Sequence, residues 1–295
     1  MKKKYYRNIE SIIKRFLYIS KNTKNKNLQE AISSAIYRVF NNKNGYLLKN
    51  NKYENLILYT NETISKEIFI KGNFEFDKLL KTKKILGHSR KKLTLVDIGA
   101  NIGSISIPAL TRNYFTNAIV FEPEIRNYRI LQANIYLNKL ENRIQSNNVA
   151  ISSSKSKKLK LFKNEFNRGD NRISNKKNYL NRKMQIVNTD ILDNYTKKLN
   201  KKNSLIWMDT QGHECFIIQG AKKTLKKRIP LVMEFQPDLM PKNWINKFNN
   251  LFKNYNYFYN LSETKNVKQE LNTETIKKLY KKIEKNKSFT DLLLI

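Results

Sequence analysis

The apolar run Leu93-Thr94-Leu95-Val96 leads straight into Asp97-Ile98-Gly99-Ala100-Asn101-Ile102-Gly103. A strand pattern that ends in an acid, then a glycine turn, then a helical pattern is how a doubly wound α/β domain places a small-molecule pocket at the carboxyl end of its first strand. Gly99 can take φ > 0 and lets backbone approach a ligand with no Cβ in the way. Asn101 is among the non-glycine residues that best tolerate the left-handed region. Gly103 is expected to allow close helix–strand packing, and Ser104 to cap the helix that follows.

What the turn lacks narrows its ligand. The dinucleotide fingerprint G-x-G-x-x-G needs glycine at 101 and 104, where Asn101 and Ser104 stand, and the phosphate loop G-x-x-x-x-G-K-[ST] is absent. No lysine or arginine lies in the turn to meet a phosphate. Asp97 instead puts a carboxylate under the loop, which suits a ligand carrying an ammonium and a sulfonium, S-adenosylmethionine. A second short strand, Ala118-Ile119-Val120-Phe121, ends in Glu122-Pro123. An acid at about this distance beyond a glycine turn accepts ribose hydroxyls in such folds. Adenine is expected near Asn148 and Val149, at the end of a third strand over 144–149. The cofactor set is therefore Asp97, Gly99, Ala100, Asn101, Gly103, Glu122, Asn148 and Val149.

A further buried strand, Ser204-Leu205-Ile206-Trp207-Met208, ends in Asp209, followed by Thr210-Gln211-Gly212-His213-Glu214 and an apolar helix. Were the acceptor a hydroxyl, it would have to lose its proton to become a good nucleophile, and a general base or a metal ion would serve. Asp209, His213 and Glu214 are the catalytic candidates; no metal ligands are assigned. Imidazole suits proton abstraction near neutral pH, and an acid at a helix N-terminus is favoured by the dipole alone. Glu234, within Met233-Glu234-Phe235, either lines the cleft or is structural.

The segments VDIGANIG, FEPEIRNYRILQANIYLN, NVAIS, WMDTQGHECFIIQGAKKTL and PLVMEF, in this order and spacing over about residues 93–235, resemble the FkbM branch of class I S-adenosylmethionine-dependent methyltransferases. A weaker echo runs from Ile64-Ser65 to Gly72-Asn73-Phe74-Glu75, and the end Leu292-Leu293-Leu294 fits as well. The resemblance implies a doubly wound Rossmann-like sheet and O-methylation of a hydroxyl on a sugar, glycan or small metabolite. One departure stands out. The family usually reads D-x-E-G after the fourth strand, and here Gln211 replaces that acid.

Composition bounds the rest. The 295 residues carry 58 Lys+Arg against 24 Asp+Glu, a formal charge of +34. Such a surface attracts nucleic acid, anionic glycans or acidic lipids; lysine scattered as Lys-Lys pairs is equally the pattern of a solvated surface. An RNA methyltransferase is the alternative within the same chemistry, but Asp209-Thr210-Gln211-Gly212 stands where the amino-methylating signature [DNS]-P-P-[YFW] would be. A non-catalytic cofactor-binding or basic surface-binding protein is the alternative from another class. The single cysteine, Cys215, excludes an internal disulfide and a cysteine zinc motif. It is read as a buried thiol in a chain expected to be cytoplasmic.

Residues 1–86 read as an N-terminal cap of helices and short strands, and 87–295 as the methyltransferase domain. Within the cap, Ile9, Ile12, Ile13, Phe16 and Leu17 recur at helical spacing with basic residues opposite. This helix, over residues 1–19, is expected either to cover its own domain or to lie on an anionic membrane. A linker (21–27), a helix (28–40), short strands over 45–71 and a helix over 74–86 follow. The core is expected to run strand 93–98, helix 104–112, strand 118–121, helix 125–138, strand 144–149, strand 204–209 and strand 231–235. Pro108 must then sit in the first helical turn. Residues 152–183 hold a hairpin around Leu159 and Leu161 and a polar loop whose run Arg168-Gly169-Asp170-Asn171-Arg172 is a candidate substrate contact. The tail, 244–295, is expected to supply final antiparallel strands, and His88 to be a surface residue.

Overall fold

The computed structural model describes residues 22–40, 45–87, 93–165, 167–174, 181–241 and 243–295, with Ser11, Lys14–Phe16, Tyr18 and Ile19. The amphipathic pattern over residues 1–19 and His88 fall largely or wholly outside this set. After helix α1 (Lys26–Val39), strands β1 (Tyr46–Asn50) and β2 (Asn55–Tyr59) pair antiparallel. The stretch that follows is helix α2 (Thr63–Lys71), not a further strand. The reason is a cap: the Glu62 carboxylate accepts from the backbone N–H groups of Ile64 (3.0 Å) and Ser65 (2.7 Å), and Gly72 at φ 81° ends the helix. Helix α3 (Phe76–Leu86) leads to the core.

The core begins with β3 (Thr94–Ile98), α4 (Ser106–Thr111), β4 (Asn117–Phe121), α5 (Ile125–Leu137) and β5 (Ile144–Asn147). Helix α4 starts later than expected. Residues 99–105 run on as turns, with Asn101 at φ 51° and Gly103 at φ 89°, so Ile105 rather than Ser104 precedes the first helical residue, without a side-chain cap. Pro108 lies within the first turn of α4, where a proline is best tolerated. The expected strand 144–149 is divided. Its last residues leave the main sheet, and β6 (Ala150–Ile151) joins β7 (Lys158–Lys163), β8 (Arg172–Ile173) and β9 (Lys183–Asp190) in a second sheet of order β6-β9-β7-β8.

The chain returns with β10 (Ser204–Met208), α6 (Glu214–Gly220), α7 (Lys222–Lys226) and β11 (Leu231–Phe235). The tail adds β12 (Tyr257–Asn260), β13 (Lys268–Glu270), α8 (Thr273–Lys285) and β14 (Thr290–Leu294). Among the described residues the main sheet has eight strands in the order β13-β12-β14-β11-β10-β3-β4-β5. Strands β11, β10, β3, β4 and β5 are parallel; β14, β12 and β13 are antiparallel additions. This is the doubly wound Rossmann-like sheet expected from the sequence, antiparallel tail included.

Burial on both faces explains the unbroken apolar runs of the central strands. Val96, Ile98, Met208, Met233 and Phe235 pack on one side with Ile217, Phe248 and Phe258. Leu95, Val120, Leu205 and Val232 pack on the other with Leu56, Leu58, Ile68, Phe76 and Leu79. The N-terminal elements thus share a core with the sheet. Among the described residues no helix is long and apolar enough to cross a membrane.

Candidate functional site

Strand order reverses between β3, which is followed outward by β4 and β5, and β10, which is followed by β11. Ligands of open α/β sheets bind at such a switch point, outside the carboxyl ends of the strands. A cavity lies there, lined by Asp97 from the end of β3, Gly99, Ala100 and Asn101 from the turn beyond it, Glu122 from the end of β4, and Asp209 from the end of β10. Gly99 is required by its neighbours. A Cβ on it would lie 1.9 Å from the Asp209 carbonyl oxygen, and its φ is 94°.

The β3 turn is tied to β4. The Asn101 N–H donates to Glu122 Oε2 (2.9 Å), and the Glu124 N–H donates to Glu122 Oε1 (2.8 Å). Burial still pushes Glu122 up to about 8. Asp97 is 2% exposed, and burial raises it to about 7, partly offset by the adjacent Ser106. Asp97 Oδ2 and Asn101 Oδ1 are buried with no hydrogen-bond partner among the described residues. An ammonium on a ligand would fit both of these acceptors, one at the end of β3 and one in the turn beyond it.

Two of the expected cofactor residues do other work. Asn148 does not line the cavity; its amide donates to the carbonyls of Glu122 (2.8 Å) and Pro123 (3.2 Å) and so pins the end of β4. Gly103 is also outside the lining. A Cβ there would meet Ile107 and Leu131, so it serves helix packing. Val149 does line the cavity, with Phe121, Ala150 and Ile151 extending an apolar wall. Ser104, which caps nothing, is part of the lining as well.

The catalytic candidates separate in the same way. Asp209 lines the cavity, and burial pushes it up to about 7, with repulsion from Glu214 added. Gln211, at φ 52°, donates from Nε2 to both Asp209 Oδ1 (2.9 Å) and Glu234 Oε2 (3.1 Å). Glu234 is raised further, by burial first and then by Asp209, so it holds a proton through neutral pH. His213 lines the cavity, with its Nε2 2.9 Å from Ser152 Oγ and its ring stacked on Phe216. Burial lowers it to about 4, so it is neutral but a weak base. Glu214 is outside the lining. Its carboxylate accepts from the Thr210 N–H (2.7 Å) and hydroxyl (2.8 Å), bracing the turn from β10 to α6. Asp209, Glu214 and Glu234 offer oxygens within 4.8 Å of one another, the group a hard divalent cation would use. Cys215 is buried and pushed up to about 12, an inert thiol.

Sequence reasoning missed the acids that reach this site from distant elements. Glu75, at φ 50°, lines the cavity from the start of α3, and burial raises it to about 7. Asp291 of β14 stands directly across from Glu234 of β11. Lys78 bridges Glu75 (2.6 Å) and Asp291 (2.5 Å). The only signals were the Phe74-Glu75 echo and one acid, Asp291, inside an apolar strand.

The FkbM methyltransferase domain model matches residues 97–271, more than half of the chain. The chain belongs to the FkbM methyltransferase family. The matched span begins at Asp97 and takes in Glu122, Asp209, Gln211 and Glu234. No curated protein matches this FkbM chain. Among solved structures it is similar to an FkbM methyltransferase from Methylobacillus flagellatus KT, at 12% identity and a TM-score of 0.45, covering 98% of this chain and 59% of that one. It therefore spans about three-fifths of that relative's length. It is also similar to M. jannaschii TYW2, solved in complex with AdoMet, at 12% identity and a TM-score of 0.41, covering 86% of each chain. A third is the B. subtilis M1A22 tRNA methyltransferase TrmK, at 11% identity and a TM-score of 0.36, covering 72% of this chain and 63% of that one.

Proposed function

We propose that this FkbM-family protein binds S-adenosylmethionine in the switch-point cavity and transfers its methyl to a hydroxyl of a sugar, glycan or other small metabolite. The observation that carries this reading is Asp209. It is a cavity-lining carboxylate at the tip of β10, raised to about 7 and adjoining the Gly99 turn that follows Asp97.

The donor fits the residues present. Asp97 Oδ2 and Asn101 Oδ1 would take the ammonium, Glu122 the ribose diol, and Val149 with Phe121 and Ile151 the adenine face. Bound there, S-adenosylmethionine supplies an electrophilic methyl on a sulfonium, so alignment contributes much of the catalysis. Asp209 then takes the proton of the acceptor hydroxyl. A base matched to the working pH serves this best, and burial sets Asp209 in that range. Gln211 holds the Asp209 carboxylate in place and links it to protonated Glu234, so one negative charge rather than two occupies the pair. His213, neutral and bonded to Ser152, fixes the opposite side of the turn and is not the base.

Incubating the full chain with tritiated-methyl S-adenosylmethionine and separate glycan, small-metabolite and total RNA fractions tests the reading. Label should enter a hydroxyl-bearing fraction as an alkali-stable ether and disappear with Asp209→Asn. Label confined to RNA would favour the nucleic-acid alternative. Donor binding without label in any fraction would favour a non-catalytic protein.

A further inference from the structure

The cavity has a second wall, from the segment between β7 and β9, that the catalytic reading leaves unused. Arg168, Gly169 and Asn171 line it. Arg168 is 8% exposed, and its Nε is buried without a hydrogen-bond partner among the described residues. Its guanidinium lies 4.2 Å from the ring centroid of Tyr59. That ring is held in place. The Tyr59 hydroxyl donates to Asn127 Oδ1 (3.2 Å), its N–H donates to Ser65 Oγ (3.1 Å), and its carbonyl accepts from the Tyr37 hydroxyl (2.7 Å).

The acids of its own loop are already committed. Asp170 pairs with Arg172 and with Arg182 (2.7 Å), and also accepts from the Asn164 amide (3.0 Å). Glu165 pairs with Lys183 (2.7 Å). Of the three arginines in this stretch, two share the one available aspartate. Arg168 has no carboxylate within ion-pair distance among the described residues. Asn171 also has an unmet donor: its Oδ1 accepts from the Asn164 N–H (2.8 Å), which fixes the amide, and its Nδ2 is buried with no acceptor among the described residues.

A guanidinium is charged at every physiological pH, and burying it without a counter-charge is costly. An aromatic face offsets only part of that. A planar fork plus an amide N–H facing one cavity match a planar or tetrahedral oxyanion. We propose that Arg168 and Asn171 form a receptor for a carboxylate or phosphate on the molecules that fill this cavity. Which molecules those are rests on the methyltransferase reading above. The oxyanion comes either from the methionine half of the donor or from an acidic group on the acceptor.

Calorimetric titration of the full chain separates the two sources. S-adenosylhomocysteine is compared with its decarboxylated analogue, which keeps the ammonium and adenosine; inorganic phosphate and glucuronate are then titrated into the S-adenosylhomocysteine complex. Each is repeated with Arg168→Gln and, should that variant not fold, with Arg168→Lys, which keeps the charge and loses the fork. If the donor supplies the oxyanion, the decarboxylated analogue binds wild type more weakly by roughly ten- to a hundredfold, the range of a charge-assisted hydrogen bond, and the variant erases the difference. If the acceptor supplies it, both nucleosides bind wild type and variant alike, while phosphate or glucuronate binds only the wild-type complex. Equal affinities for the two nucleosides, together with no phosphate or glucuronate binding to wild type, would overturn the proposal even if neither variant folds. Wild type that binds neither nucleoside would instead overturn the donor assignment on which it rests.

Discussion

The cavity has two walls of opposite chemistry. The strand-end wall offers acceptors: Asp97, Asn101, Glu122 and Asp209, all at the carboxyl ends of β3, β4 and β10 or in the turn beyond. The loop wall offers donors, Arg168 and Asn171, from an irregular segment resting on the N-terminal elements. The first wall follows from local rules, a strand that ends in an acid before a tight turn. The second depends on packing between residues far apart in the chain, such as Gly169, where a Cβ would lie 2.6 Å from Ile64 Cδ1. A ligand spanning both walls presents cationic or hydroxyl groups to one and an oxyanion to the other.

The largest expected effect breaks the strand-end wall at its chemistry. Asp209→Asn should lower the methyl-transfer rate by roughly two to four orders of magnitude, as loss of a general base does, while S-adenosylhomocysteine affinity is unchanged. Initial rates and calorimetry on one preparation check both halves. Next is Asp97→Asn, expected to weaken S-adenosylhomocysteine by roughly ten- to a hundredfold through the lost ammonium partner. Asp97 stands at about 7 before the ligand binds, and the ammonium requires its ionised form. Wild-type affinity should therefore rise from about pH 6 to about pH 8, and the variant should flatten that rise.

Gln211→Glu sharpens the comparison further. It restores the acid of the family pattern but removes the donor between Asp209 and Glu234 and adds a third carboxyl beside them. The acid limb of the pH–rate profile should move to higher pH, because repulsion raises the base, and the melting temperature should fall by a few degrees. The smallest effect concerns stability. Glu75, Asp97, Glu122, Asp209 and Glu234 all hold protons more tightly folded than unfolded. Their contribution is therefore greatest at low pH and is lost as pH rises through their folded values. His213, with its value lowered, opposes this only below its unfolded value. The ligand-free protein should thus melt higher at about pH 6.5 than at about pH 8.5, and Glu234→Gln should reduce the difference.

These contrasts mark what the sequence made legible. Strands β3, β4, β10 and β11 were readable because each is a short apolar run ending in an acid or aromatic at a turn. Asn101 was placed correctly because few residues accept a positive φ. Ser104 was misread as a cap from position alone, because α4 starts later, whereas the hydrogen bonds of Asn148 to the Glu122 and Pro123 carbonyls had no local signal in the sequence. Helix α2 was misread as strand because its β-branched residues outweighed the Glu62 cap. Lys78 and Asp291 meet across more than two hundred residues, and no local pattern reports such a pairing.

The central claim is that the strand-end wall holds S-adenosylmethionine through Asp97 and Glu122. Calorimetric titration of S-adenosylmethionine into wild type, Asp97→Ala and Glu122→Ala tests it most directly. One saturable site in wild type, weakened in each variant, is the predicted result. No binding to wild type at millimolar ligand, or equal binding by all three proteins, would contradict it.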